Sequence, residues 1–141
     1  MINFDEIQTT TVKDVTYETD NTVTYTDDIE NDKYWHIRIS FNDNTIKPII
    51  LDVDSDCCEE VWFALEIPNY DKEYDLEYLI GKTIKNITIN DDCIDLGNDN
   101  EMYYHWARIV NIELVDGTTF PLYFCVSSNG YYQGIFKMYQ K

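Results

Sequence analysis

The sequence predicts a mainly β fold, with any α+β character minor: an antiparallel sheet or small sandwich with a C-terminal meander and one or two short helices. Three observations predict it. Apolar residues recur at every second position over much of the chain, the period of a half-buried strand. Two dipeptides suited to tight hairpins, Asp116-Gly117 and Asn129-Gly130, separate such stretches near the C-terminus. Hydrophobic residues make up 44% and aromatics 15% of the chain, with only 5 Gly and 3 Pro, a composition that buries a core despite the high charge. At 141 residues the chain reads as one domain.

Taken in order, Thr9 to Thr26 is rich in Thr, Val and Tyr and breaks at Asp20-Asn21, which predicts a hairpin. Residues 34–41, YWHIRISF, put Trp35, Ile37, Ile39 and Phe41 on one face and Tyr34, His36, Arg38 and Ser40 on the other. Asn42-Asp43-Asn44 makes a turn, and IKPIILDV returns as a strand with Pro48 at an edge or bulge. In CCEEVWFALEI the alternation of Val61, Phe63, Leu65 and Ile67 favours strand over helix. NYDKEYDLEYLIG predicts a short helix with Leu76, Leu79 and Ile80 on one face and Gly81 at its left-handed cap. KTIKNITIN alternates with a slip between Ile84 and Ile87, a candidate bulge. DDCIDLGNDNE reads as a loop. Residues 102–126 form two strands about Asp116-Gly117, and YYQGIFKMY closes the meander.

The net charge is −17 and uneven. Residues 1–60 hold 15 acids and 4 bases, net −11, while residues 101–141 hold 3 of each and 10 of the 21 aromatics. Such a field repels nucleic acid, anionic lipid and anionic substrates and attracts a basic groove. A solubility surface is the plainer use of the same charge. No apolar run approaches the ~20 residues that span a bilayer. MINFDEIQTT lacks the basic and apolar regions of a secretory signal, so the four Cys are expected as free thiols in a reducing compartment.

Candidate chemistry is sparse. On a strand Cys57 and Cys58 point to opposite faces, so they do not share a metal. Asp56, Glu59 and Glu60 would raise a thiol pKa rather than lower it. The pair reads as two small buried hydrophobes, expected to react only after unfolding. Asp52, Asp54 and Asp56 resemble the start of a calcium loop, but Cys57 stands where glycine is needed and Phe63 where a bidentate Glu belongs. His36 and His105 read as satisfied structural histidines. Tyr103, Tyr104, Tyr123, Tyr131 and Tyr132 suit sheet packing first and a binding patch second. Nucleophile-elbow, zinc-protease and phosphate-loop motifs are absent, which favours a non-enzyme without metal or cofactor.

Three segments in order, DCCEEVWF at 56–63, DLEYLIGKTI at 75–84 and SSNGYY at 127–132, resemble a family of small, mostly phage-encoded proteins known as a domain of unknown function. The resemblance covers about Lys33 to Tyr139, so 1–32 would be an N-terminal hairpin added to a core at 33–139. That family tends to carry a His shortly before Asp-Cys-Cys, where this chain has LDVDS. The resemblance implies a viral or prophage origin, hence the host bacterial cytoplasm, and a structural part for Cys57, Cys58, Asn129, Gly130 and Tyr131.

Together these features point to a phage accessory protein, an anti-defence inhibitor. It would cover the basic groove of a host nucleic-acid-processing protein and bind neither nucleic acid nor membrane directly. Its expected contacts are Asp52, Asp54, Asp56, Glu59, Glu60, Tyr103, Tyr104, Tyr131 and Tyr132. The alternatives are a nucleotide-binding module, with Arg38, Lys82, Lys85 and Arg108 as the phosphate donors, and a virion or assembly component.

Overall fold

The computed structural model describes residues 2–20, 33–54, 60–99, 103–128 and 134–141. A four-residue helix, α1 (Phe4–Ile7), is capped by Asn3, whose side chain accepts from the Glu6 amide. Among the described residues nine strands follow: β1 (Val12–Asp20), β2 (Lys33–Phe41), β3 (Ile49–Asp54), β4 (Glu60–Ala64), β5 (Ile84–Ile89), β6 (Ile94–Asp99), β7 (Tyr103–Leu114), β8 (Thr119–Ser128) and β9 (Ile135–Gln140). A 3-10 turn at Leu76–Leu79 precedes β5. The fold is mainly β and wholly antiparallel, one sheet running β5-β7-β8-β4-β2-β3-β9 with β1 on β2 and β6 on β7.

Two strands are each shared by three partners. One edge of β2 pairs with β1 along its whole length, so β3, against residues 36–39, and β4, against Tyr34, follow one another along the other edge. Likewise β8 takes one edge of β7, while β5 and β6 divide the second. The sheet curls until the start of β1 meets the chain ahead of β5. There the Val12 amide donates to the Lys82 carbonyl, and the Gly81 amide donates to the Val12 carbonyl, both at 2.8 Å. The main core fills this curl, with Ile37, Ile39, Phe63, Ile112, Phe120 and Leu122 fully buried. A smaller cluster of Trp62, Ala64, Ala107, Tyr123 and Cys125 covers the opposite face of β4, β7 and β8.

The β7–β8 hairpin turns where Asp116-Gly117 predicts, with Gly117 at a φ of +91°. The slip in KTIKNITIN is a register shift between Ile84 and Asn86. Pro48 lies just before β3, where its missing N–H costs no ladder bond. Of the hairpin expected at Thr9–Thr26, the first arm is β1, which pairs with β2; the rest lies outside the described residues. Ile7, Val12 and Val15 belong to the main core.

Four expectations are corrected. The last strand expected in the C-terminal meander does not join β8, because β8 already has β7 on one edge and β4 on the other. The final strand, β9, therefore joins β3, and its Phe136 packs on Phe63 and Phe124. Gly134 permits that approach, since a Cβ there would meet Val61 at 2.8 Å. Second, Trp35 is 46% exposed and Tyr34 7%. The β1 register jumps from Glu18 opposite His36 to Thr19 opposite Tyr34, so the bulged Trp35 leaves the apolar face and Tyr34 takes it. Third, residues 94–99 form strand rather than loop. Ile94 and Leu96 alternate onto the second cluster, and the register shift beside Gly97 absorbs the irregularity. Fourth, Ile80 does not share a face with Leu76 and Leu79. A 3-10 turn repeats every three residues, so 76 and 79 stack inward while extended Ile80 is 43% exposed.

Candidate functional site

Three groups of polar side chains arise from this topology. The first lies on the outer face across β7, β8, β4 and the start of β2. His105 is opposite Ser127, Ser127 is opposite Glu60, and Glu60 pairs with the ammonium of Lys33. Cross-strand partners share a face, so these residues form one row. Lys33 is only 3% exposed, and its ammonium lies 4.7 Å above the Trp62 ring. His105 is buried, and the expectation of a satisfied histidine is corrected, because neither ring nitrogen has a hydrogen-bond partner among the described residues. An orphaned buried polar group of this kind typically costs about 1–3 kcal/mol.

The second group spans β1, β2, β3 and β9. Glu18, His36, Asp52 and Lys137 are successive partners across the four strands. Asp52 takes the Nδ1 side of His36 with one carboxylate oxygen and accepts from the Tyr139 hydroxyl at 2.6 Å with the other. That bond, with burial, holds the Tyr139 hydroxyl pKa above its ordinary value. Asp54 pairs with Lys137 at 3.0 Å. Carboxylates flank the His36 imidazole on both strands. The hydrogen bond to Asp52 fixes the orientation of the His36 ring.

The third group surrounds the 3-10 turn. Tyr74 and Tyr78 stack with centroids 4.1 Å apart, and Tyr74 stacks in turn on Phe120. Lys82 lies 4.7 Å over the Tyr78 ring and 3.9 Å from Asp116. Asp71, Glu73, Asp75 and Glu77 are exposed around them.

The expected contact residues are thus dispersed. Asp52 and Asp54 sit in the second group and Glu60 in the first, each with an internal partner. Tyr103 and Tyr104 lie at the start of β7, opposite Asp99 and Asn98 on β6. Asp56, Glu59, Tyr131 and Tyr132 lie outside the described residues, as do Cys57, Cys58, Asn129 and Gly130. Of the cations considered for phosphates, Lys82 faces Asp116 and Arg108 lies 3.5 Å from Asp91. Among the described residues no three His, Cys, Asp or Glu side chains converge on a metal position, and no helix is long and apolar enough to cross a membrane. Sequence reasoning missed the row through His105, because its members are paired by strand register and lie far apart in the chain.

The described thiols differ sharply. Cys93 is exposed and Cys125 buried, and burial pushes the Cys125 pKa far up, opposed in part by Lys33. At neutral pH an alkylating reagent is expected to modify Cys93 in the native protein and Cys125 only after unfolding. Peptide mapping after a timed exposure checks this; early labelling of Cys125 would show that the outer face opens.

No family model matches the sequence, and no solved structure matches it. The chain is 36% identical over 104 residues to the uncharacterized protein L278 of Acanthamoeba polyphaga mimivirus, a match spanning 74% of this chain and 77% of that protein.

Proposed function

Since the chain belongs to the family of that mimivirus protein, we propose that it serves a virus as an accessory protein that acts by binding rather than by catalysis. Its target on this reading is a host defence protein whose basic groove handles nucleic acid, and its effect is to occupy that groove. The resemblance of its three motifs to phage proteins fits the same role, with the cytoplasm of the infected cell as the place of action.

The observation that carries the reading is the charge left after internal pairing. The chain has 27 acids and 10 bases. Lys33, Lys72, Lys82, Arg108 and Lys137 are each engaged by an acid of the same chain. Exposed acids remain on α1 (Asp5, Glu6), on β1 (Asp14, Glu18), about the 3-10 turn (Glu73, Glu77) and before β6 (Asp92). A surface of one sign accelerates encounter with the opposite sign and makes association salt-sensitive.

Immobilised protein exposed to host lysate is expected to retain a nucleic-acid-binding protein at about 0.05 M salt and release it at about 0.5 M, where screening is short-ranged. Added duplex DNA should compete for the retained protein. Retention that survives both high salt and reversal of Asp5, Glu6, Asp14 and Glu18 to lysine would overturn the electrostatic reading.

A further inference from the structure

We propose that the surface of Tyr74, Tyr78, Ile80 and Val115 is the docking point for the partner, and that it takes a basic amphipathic segment: arginine or lysine side chains flanking an aliphatic anchor. This rests on the acidic-surface reading above and assigns it a place.

Three observations carry the assignment. Exposed apolar area coincides here with excess negative charge. Ile80 and Val115 are 43% and 55% exposed, and Val115 is held against the start of β5 by its amide bond to the Thr83 carbonyl at 2.9 Å. Glu73 and Glu77 are exposed around the turn, and Asp116, exposed next to Val115, is shared with Lys82. An apolar centre with a charged rim is the anatomy of a protein interface. Second, the tyrosines are rigid. Tyr78 stacks on Tyr74, and Tyr74 on the buried Phe120, so an incoming side chain meets rings already fixed by the core. Third, these groups already hold a cation of the same chain. Lys82 occupies the face of Tyr78 beside Asp116, and a partner's guanidinium would exchange with the half-exposed Lys82 ammonium for the same combination of ring and carboxylate. The Tyr74 hydroxyl is held above its ordinary pKa by burial first, then by Tyr78, Glu73 and Asp116, consistent with negative potential at the rings. The charge of the rim selects a basic segment over an acidic one or a second copy of this chain.

The test uses the full chain and two fluorescent peptides of equal charge, one alternating arginine and leucine, the other oligolysine. Anisotropy is read at about 0.05 M salt. The double variant Tyr78→Ala/Val115→Ser, which leaves the charge unchanged, is expected to weaken the arginine–leucine peptide by about tenfold and oligolysine by less than about threefold. Ile80→Ser/Val115→Ser, confined to exposed side chains, should weaken the first peptide by about threefold or more even if Tyr78→Ala perturbs packing. A control outside the patch, Asp5→Asn/Glu6→Asn, should affect both peptides equally and slightly. Unchanged affinity of both patch variants for the arginine–leucine peptide would overturn the assignment while leaving the acidic-surface reading intact. If the unaltered protein binds neither peptide, that reading fails and the patch with it. A dimer in sedimentation that Val115→Ser dissolves would overturn the proposal in favour of self-association.

Discussion

Phe63→Ala is expected to destabilise the protein by about 3–5 kcal/mol, the range for a fully buried aromatic truncated to alanine. Phe63 is 0% exposed and stands where the sheet divides. Its backbone is opposite Tyr34 on β2 and opposite Phe124 on β8. Its ring packs on Phe124 at 6.2 Å and on Phe136 of β9 at 5.8 Å. Truncation opens a cavity bordered by three strands that are themselves held by ladders, so the walls cannot easily collapse inward. Phe63→Leu keeps most of the volume and should cost less than half as much. Urea unfolding checks both: the midpoint should fall with little change in slope. A loss below about 1 kcal/mol for Phe63→Ala would mean that the two arms of the sheet close over the gap.

Glu60→Ala should be the most damaging single change of charge, at about 2–3 kcal/mol, and it should be worse than Lys33→Met. The Lys33 side chain is 4% exposed, whereas that of Glu60 is 36% exposed. Removing the glutamate leaves an ammonium buried against the Trp62 ring with its carboxylate gone. Breaking a fully buried pair in this way costs about 3–5 kcal/mol, and the exposed side of Glu60 lets water recover part of that. Removing the lysine instead frees Glu60 to face solvent, while methionine keeps the apolar stem over Trp62. The order of the two variants is the test. Equal losses would show that the pair acts through packing and not through charge.

The sequence makes most of this fold legible and little of its site. Strand identity is carried by local alternation, so YWHIRISF, VWFAL and the two arms about Asp116-Gly117 are readable from neighbouring residues alone. Partner choice is not local. Nothing within YYQGIFKMY says that β8 has no free edge, and that fact sends β9 to β3. Trp35 fails for a related reason: a bulge is a property of two strands in register, and only the β1 partner reveals it. The polar groups follow the same rule. His36 finds Asp52 sixteen residues away, and Tyr139 reaches the same carboxylate from the end of the chain. The Lys33–Glu60 pair and the His105–Ser127 row are likewise products of topology. The charge excess is different in kind, since it is a sum over the chain and survives any arrangement of strands.

The junction between Val12 and the Gly81–Lys82 segment has a kinetic consequence. Among the described residues this join is made by the two backbone bonds at Val12 and by the Gln8 side-chain amide, which donates to the Lys85 carbonyl at 3.2 Å, whereas β1–β2 and β7–β8 are joined by long ladders. The two partners are about seventy residues apart, so closing the ring costs more chain entropy than forming the adjacent β7–β8 hairpin. The hairpin is therefore suited to form early and the ring to close late, once β1 has been zipped onto β2 and the Leu76–Leu79 turn has docked. In the native protein the same economy of bonds makes this the natural place for breathing motions to begin. The Tyr74–Tyr78 surface stands beside that seam, so a partner bound there would act as a latch on the part of the ring that closes last.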